Sequence, residues 1–378
     1  MKKDQIKQVA LRIVITGGGT GGHLFPGIAL AEKFIDVNPE TEILFISTGN
    51  MFEKSVLSKT KFQYRWITSE GIKGRGLIKK IIPAIKIPKG ILESISILKK
   101  FNPKLLIGMG GYSSGPVILA ARLLGINIVI CEQNILMGAT NRILSYFADR
   151  IYVSFEETKI KTGQNKLRFT GNPVRKDFFK KGEKHKEKSE YAGLKNKPFV
   201  ILVIGGSQGA NSINIAVTDA AKILKNEKKI LFIHQTGTTD ESWVKKIYKL
   251  NNIACIVRSF FDDMPQMYNQ ANIVIARAGA TTIAEITALG KCAIFVPYPF
   301  AADNHQELNA QSLANKNAAE IILQKDLNGK LLAKRIEHYA SNSNAISSIA
   351  SSAKKLGKPG AAGNIVKNCY KLIYLEDY

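Results

Sequence analysis

The stretch Asn272-Ile273-Val274-Ile275-Ala276-Arg277-Ala278-Gly279-Ala280-Thr281-Thr282-Ile283-Ala284-Glu285-Ile286-Thr287-Ala288-Leu289-Gly290 decides the fold. Ile273 to Ala276 is a short apolar run of the kind buried parallel strands show. Arg277 to Ala280 then turns into a helix predicted from Thr281 to Leu289, which Gly290 ends. A second apolar run, Cys292 to Val296, halts at Pro297-Tyr298-Pro299, and the polar loop from Ala301 to His305 leads into a helix at Gln306. Two such strand-turn-helix units put both turns at the carboxyl edge of one parallel sheet, where open α/β folds bind ligands. Glu285 has two readings here. Thr282-Ile283-Ala284-Glu285 fits a capping box, and a carboxylate at this edge also suits both hydroxyls of a ribose.

The same grammar recurs outward from this stretch. Phe199 to Ile204 runs into Gly205-Gly206-Ser207-Gln208-Gly209-Ala210 and a helix from about Ser212. Leu11 to Ile15 runs into Gly17-Gly18-Gly19-Thr20-Gly21-Gly22-His23, with a helix predicted from Leu24 to Phe34 and Pro26 in its first turn. The chain therefore reads as two doubly wound halves. Each opens on a glycine loop whose backbone amides can approach an anion at a helix N-terminus. The first loop formally matches G-x-G-x-x-G, yet Ile43 to Ile46 ends in Ser47-Thr48-Gly49 and Ile230 to Ile233 ends in His234-Gln235. Neither strand carries the acid that a dinucleotide's ribose requires, which argues against a dehydrogenase.

Between these openings, Leu105 to Ile107 leads into Gly108-Met109-Gly110-Gly111-Tyr112-Ser113, and Ile126 to Ile130 leads into Cys131-Glu132-Gln133-Asn134. One edge thus collects His23, Tyr112, Ser113, Glu132, Gln133 and Asn134, a polar rim suited to hydroxyl-rich ligands. Gly171-Asn172-Pro173-Val174-Arg175 reads as the crossing between domains, Lys180 to Lys188 as a solvated loop, and Ala361 to Leu375 as a last helix after Gly357-Lys358-Pro359-Gly360.

At 378 residues the chain suits two domains, and 45% hydrophobic with 22% charged residues is the balance of a soluble globular protein. No signal peptide and no spanning helix are expected. Four scattered cysteines, Cys131, Cys255, Cys292 and Cys369, form no metal-like pair and imply no disulfide framework. The net charge of +24 admits nucleic acid, anionic membrane or phosphorylated substrates. With no zinc-finger spacing, RNP-like strand or basic zipper, no nucleic-acid partner is expected.

Seven ordered motifs make the chain resemble the MurG family, peptidoglycan transferases that add N-acetylglucosamine from its UDP donor to lipid I, giving lipid II. They are Gly18 to His23, Gly110-Gly111-Tyr112, Glu132-Gln133-Asn134, Gly171 to Arg175, Gly205 to Ala210, Phe261-Asp262-Asp263-Met264, and Arg277-Ala278-Gly279-Ala280 through Glu285. The resemblance covers nearly the whole length and implies a GT-B architecture, two Rossmann-like doubly wound parallel-sheet domains facing across a cleft. Residues 1–172, joined by a returning helix at 360–378, would face acceptor and membrane, and residues 173–359 would bind the UDP-sugar. Glu285 would bind ribose, the Phe261 backbone uracil, Ser207 and the helix behind it the diphosphate with help from Arg175, and Gln306 the N-acetylglucosamine. Thr20, Gly21, Gly22, Gln208 and Arg277 complete the implied donor set, and Tyr112, Glu132 and Asn134 form the acceptor side. The family's His-Glu-Gln-Asn motif here begins with Cys131, a thiol that cannot replace an imidazole in proton transfer, so Cys131 is kept out of catalysis.

The reaction so implied is an inverting attack by the muramyl 4-hydroxyl on C1 of the sugar, with His23 as candidate base or, alternatively, a phosphate- or loop-binding histidine. The Asp-x-Asp of metal-dependent transferases is absent, so a helix end and Arg175 are expected to offset the leaving diphosphate, with no metal and no cofactor. Gly71 to Lys100 carries Lys73, Arg75, Lys79, Lys80, Lys86, Lys89, Lys99 and Lys100 against Glu93, with Leu77, Ile78, Ile81, Ile82 and Ile85 between them. That pattern fits either a membrane-interface ridge or a core-packed helix with a basic face, and lipid I's confinement favours peripheral docking at the cytoplasmic face of the cell membrane. Rival readings are a transferase acting on diacylglycerol, a UDP-N-acetylglucosamine 2-epimerase, and a non-catalytic sugar-nucleotide-binding subunit.

Overall fold

The computed structural model describes residues 10–69, 77–160, 163–180, 198–226 and 230–375, with the side chains of residues 77–86 and 375 outside that description. The expected loop at 181–188 also lies outside it. The chain divides into two units, residues 1–175 with 358–378 and residues 176–357.

The first unit alternates strands and helices: β1 (Arg12–Thr16), α1 (Gly21–Val37), β2 (Glu42–Ser47), α2 (Met51–Leu57), β3 (Gln63–Trp66), α3 (Leu77–Phe101) and β4 (Leu105–Gly108). It continues with α4 (Ser114–Leu123), β5 (Asn127–Glu132), α5 (Ala139–Leu144), β6 (Arg150–Val153) and β7 (Leu167–Phe169). The strands pair in parallel in the order β3-β2-β1-β4-β5-β6-β7, with Ile13 opposite Ile43 on one side and Leu105 on the other. Helices cover both faces, so neighbouring residues of one strand enter different cores. Ile13, Ile15, Phe45 and Ile107 pack with Leu30 and Phe34 of α1, while Val14, Leu44, Ile46 and Leu106 pack with Val117 and Ala121 of α4.

Helix α1 begins at Gly21, ahead of the predicted Leu24, with Thr20 as N-cap. Pro26 consequently lies in the second turn rather than the first. Glycine's poor helix propensity displaced the expected start, but the helix propagates back to the end of the loop that β1 anchors. Helix α3 packs through Ile91, Ile95, Leu98 and Phe101, so its described second half is an ordinary core helix. Glu93 accepts from the Thr68 N–H (2.6 Å) and hydroxyl (3.0 Å), which makes it a tether for the preceding segment rather than a solvated acid. The Leu77-to-Ile85 ridge falls on side chains outside the described residues.

The second unit runs β8 (Phe199–Ile204), α6 (Asn211–Ile223), β9 (Ile230–Gln235), α7 (Glu241–Leu250), β10 (Cys255–Arg258), α8 (Met264–Gln270) and β11 (Ile273–Ala276). It then forms α9 (Ala280–Leu289), β12 (Cys292–Phe295), α10 (His305–Ala314), β13 (Glu320–Ile321), α11 (Gly329–Ser341) and α12 (Ser343–Leu356). Its parallel sheet has the order β10-β9-β8-β11-β12-β13. Gly290 closes α9 in the left-handed conformation, φ 67°, as its place in the sequence required. The last helix, α13 (Ala361–Leu375), joins the first unit, where Ile365, Val366, Cys369, Tyr370 and Ile373 enter the core beside Phe34.

Among the described residues no helix is long and apolar enough to cross a membrane.

Candidate functional site

Each sheet reverses its strand order once about its first strand. Between β1 and β4, and again between β8 and β11, consecutive crossovers leave in opposite directions and open a crevice at the carboxyl ends. The four loops beside these switch points are the four glycine-bearing turns read from the sequence.

In the first unit, the loop after β1 lies against the loop after β4: a Cβ on Gly17 would meet the Met109 Cβ at 2.8 Å. The His23 ring, half-buried in the first turn of α1, packs over Gly110, where a Cβ would come within 3.2 Å of Nε2. Its Nδ1 lies 3.1 Å from the Gly18 carbonyl. That oxygen only accepts, so Nδ1 carries the proton and Nε2 holds the lone pair of the neutral ring. Tyr112 is exposed and its ring reaches to 3.6 Å of a Cβ built on Gly19, so the two loops share one rim.

Glu132, buried at the end of β5, accepts from the Asn134 N–H (2.9 Å), the Gly138 N–H (3.1 Å) and Asn141 Nδ2 (2.9 Å). It therefore shapes the loop of residues 133–138, and Asn134 is held by it. Cys131 is fully buried behind this edge. Burial first, then the Cys369 thiol and the Glu132 carboxylate, push its thiol well above the ordinary range, and a protonated buried thiol is chemically inert. Arg175 lies with its guanidinium 4.8 Å from the Phe25 ring centre.

Sequence reasoning missed Glu53. Fully buried on α2, it completes a capping box with Asn50, accepting from the Asn50 N–H at 3.0 Å. Its other oxygen accepts the Gly19 N–H at 2.6 Å. The glycine loop was expected to offer its amides to a ligand anion, and one of them is already held by the protein's own carboxylate. A Cβ on Gly18 would lie 1.9 Å from Glu53 Oε1, which explains the glycine there by close approach. Asn50-x-x-Glu53 was a visible capping signature, but nothing local shows that its carboxylate also reaches a loop 34 residues away.

In the second unit Glu285 lies in the second turn of α9, whose N-cap is Gly279. The capping-box reading of Thr282 and Glu285 is therefore excluded: the N-cap is Gly279, so Thr282 stands at the third helical position and cannot act as the N-cap of a box. Glu285 is buried and accepts a hydrogen bond from the Tyr268 hydroxyl of α8 at 3.1 Å. The Arg277 guanidinium donates to the Val296 and Pro297 carbonyls (3.1 Å each), the Ser212 hydroxyl (3.0 Å) and Gln324 (2.7 Å), and stacks on Tyr298. It thus ties the ends of β11 and β12 to the first turn of α6. Gln306 accepts from the Tyr298 N–H at 3.0 Å.

Gln235 was noticed only as a missing acid. Buried at the end of β9, it donates to the Gly206 carbonyl (3.1 Å) and accepts the Phe261 N–H (3.0 Å), clamping the loop after β8 to the loop after β10. Ser207 is half-buried and Gln208 exposed on the first of these loops. Gly209, at φ +77°, packs so closely on Thr236 that a Cβ would lie 2.0 Å from its carbonyl oxygen. Behind them His234 lies within 3.0 Å of both Tyr248 and Asn214, and Asn214 donates to Asp240 at 2.8 Å. Burial pushes the His234 imidazole down to about 3, against the opposing pull of Asp240.

Two such doubly wound units, each with glycine loops at the carboxyl edge of its switch point, make the GT-B architecture. Residues 13–153 match the glycosyltransferase family 28 N-terminal domain and residues 200–365 match its C-terminal domain. The chain is 41% identical over 368 residues to a UDP-N-acetylglucosamine–N-acetylmuramyl-(pentapeptide) pyrophosphoryl-undecaprenol N-acetylglucosamine transferase of Syntrophus aciditrophicus, covering 97% of this chain and 100% of that one. It is 42% identical over 357 residues to the enzyme of the same name from Citrifermentans bemidjiense, covering 94% and 98%. The chain belongs to this transferase family, the MurG family. The crystal structure of Acinetobacter baumannii MurG superposes with a TM-score of 0.73 at 28% identity, covering 96% of this chain and 99% of that one. A UDP-GlcNAc 2-epimerase from Neisseria meningitidis shares the fold, TM-score 0.68, at 14% identity over 96% and 100% of the chains.

Proposed function

We propose that this chain moves N-acetylglucosamine from UDP-N-acetylglucosamine to the muramyl 4-hydroxyl of undecaprenyl-linked lipid I, forming lipid II with inversion at the anomeric carbon. The supporting observation is the 41% identity over 97% of the chain to a transferase of that name, against 14% to an epimerase of the same fold. The hydroxyl oxygen attacks C1 from the face opposite UDP, its proton passes to His23 Nε2, and the C1–O bond breaks with its electron pair leaving on the diphosphate. The N-terminus of the 13-residue α6, behind Ser207 and Gln208, offsets that charge.

Glu285 takes the ribose hydroxyls, the Phe261 backbone the base and Gln306 the sugar. The donor contacts of Thr20, Gly21, Gly22 and Arg175, and the acceptor contacts of Tyr112, Glu132 and Asn134, rest on the family resemblance. The Phe261 N–H already donates to Gln235, so its carbonyl is the group left to meet the base's N–H. Docking at the cytoplasmic membrane surface through the first unit is part of the proposal, supported by the basic, isoleucine-rich start of α3. The test is radiolabelled UDP-N-acetylglucosamine with and without lipid I. Labelled lipid only when lipid I is present is expected. Epimerised sugar without acceptor, label on diacylglycerol, or UDP binding without turnover would each overturn the reading.

A further inference from the structure

The Gly18 carbonyl that accepts from His23 and the Gly19 N–H that donates to Glu53 are the two ends of one peptide group. We propose that Glu53 is a positioning residue for His23, acting through this single peptide as a carboxylate–peptide–imidazole relay. The distances are 2.6 Å from Gly19 N to Glu53 Oε1 and 3.1 Å from His23 Nδ1 to Gly18 O. Hydrogen bonds at both ends of an amide polarise it in the same sense, so the carboxylate enriches the Gly18 oxygen that holds the imidazole N–H. Carboxylates commonly fix a histidine's tautomer by direct contact, and here one peptide stands between them.

The relay is rigid at its far end. Glu53 is fully buried, and its second oxygen accepts from the Asn50 N–H (3.0 Å) and the Thr48 hydroxyl (3.3 Å). All three partners are donors, which suits a carboxylate acting as acceptor alone. Gly18 leaves Oε1 the space that any Cβ would occupy. Among the described residues, the titratable or charged groups near the loops about His23 include Tyr112, Cys131 and Glu132, the last through Asn141, and Arg175 beside Phe25.

The inference rests on His23 as the base. When the acceptor hydroxyl's proton moves to Nε2, the ring becomes a cation, and the Glu53 charge stabilises it through the peptide. The proton later returns to water from Nε2, and Glu53 gains none. A carboxylate bonded directly to a catalytic imidazole is worth about 10⁴-fold in rate, and a relay through one peptide is expected to contribute less, roughly 10- to 100-fold.

The test uses the full chain with ¹⁵N-labelled histidine, in which the five histidines are resolved by nuclear magnetic resonance and His23 is assigned from the His23→Asn variant. In the wild type, His23 should be the Nδ1–H tautomer, and the Nε2–H tautomer would overturn the relay without any variant. In Glu53→Gln the titration midpoint of His23 should fall. Its kcat should drop about 10- to 100-fold with the acid limb of the pH profile moving in step, and KM for UDP-N-acetylglucosamine should stay within about twofold. Asn50→Ala breaks the other half of the capping box and should lower the melting temperature without moving the His23 titration. An unmoved titration in Glu53→Gln, or one that moves equally in Asn50→Ala, refutes the relay. A moved titration with an unchanged pH profile upholds the relay and removes His23 from the base role.

Discussion

Replacing Glu285 separates binding from stability. In the proposed pocket the carboxylate accepts from two ribose hydroxyls, each charge-assisted bond worth about 1.5–3 kcal/mol. The same carboxylate accepts from buried Tyr268 at 3.1 Å. Glu285→Gln keeps the shape and one acceptor oxygen but loses the charge and one ribose bond. It should cost about 2–3 kcal/mol of donor affinity, roughly a 30- to 140-fold rise in KM at 1.4 kcal/mol per decade. The ribose is remote from the reacting carbon, so kcat should hold. Glu285→Ala loses both ribose bonds and also the acceptor of the buried Tyr268 hydroxyl bond, adding about 1–3 kcal/mol of destabilisation. Adding Tyr268→Phe should restore much of that stability, because removing both groups of a buried hydrogen bond is cheaper than removing one, and should restore no donor binding. Calorimetric titration with UDP, initial rates over donor concentration and thermal melts read the three effects apart. Wild-type UDP affinity in folded Glu285→Gln would refute the pocket, and donor binding recovered in the double variant would show that Glu285 acts only as the Tyr268 acceptor.

Other expectations follow from the donor unit and the membrane. With a helix end offsetting the diphosphate, most activity should survive EDTA, and complete loss restored by magnesium or manganese would count against that mechanism. His234 titrates near 6.5 when unfolded and is pushed down to about 3 when folded, so the unfolded chain takes up the proton first. Its contribution is whole above pH ~6.5 and lost as pH falls toward ~3, at about 1.4 kcal/mol per unit. Urea midpoints between pH 7.5 and 5 should therefore fall less steeply in His234→Gln, and identical slopes would contradict the buried neutral imidazole. The protein should pellet with anionic vesicles at low salt and be released at high salt, each basic residue adding at most about 1 kcal/mol. Replacing Lys79, Lys80, Ile81 and Ile82 with Ser should reduce pelleting and leave UDP binding intact, and unchanged pelleting would return the start of α3 to a core-helix role.

By itself the sequence determined what is local. Apolar runs of strand length followed by glycine turns and helical periodicity specify a strand-turn-helix unit wherever they occur, because both the backbone preference and the burial pattern are carried by neighbours. That was enough for two parallel-sheet halves, for the four turns at their carboxyl edges and for Glu285 at the last of them. Two readings of one local pattern could not be separated there. Thr282 to Glu285 satisfies a capping box as well as a ligand site, and only the start of α9 at Ala280, held by β11 in its sheet, put Glu285 beyond any cap. The tertiary structure alone brought Glu53 to Gly19 and Gln235 to both Gly206 and Phe261. These pairings join strands that are adjacent in the sheet but distant in the chain, so they depend on strand order, which burial of both sheet faces selects across a whole unit. A buried carboxylate or amide then takes whichever backbone donor that order delivers, since leaving either partner unmatched costs more than any local preference repays.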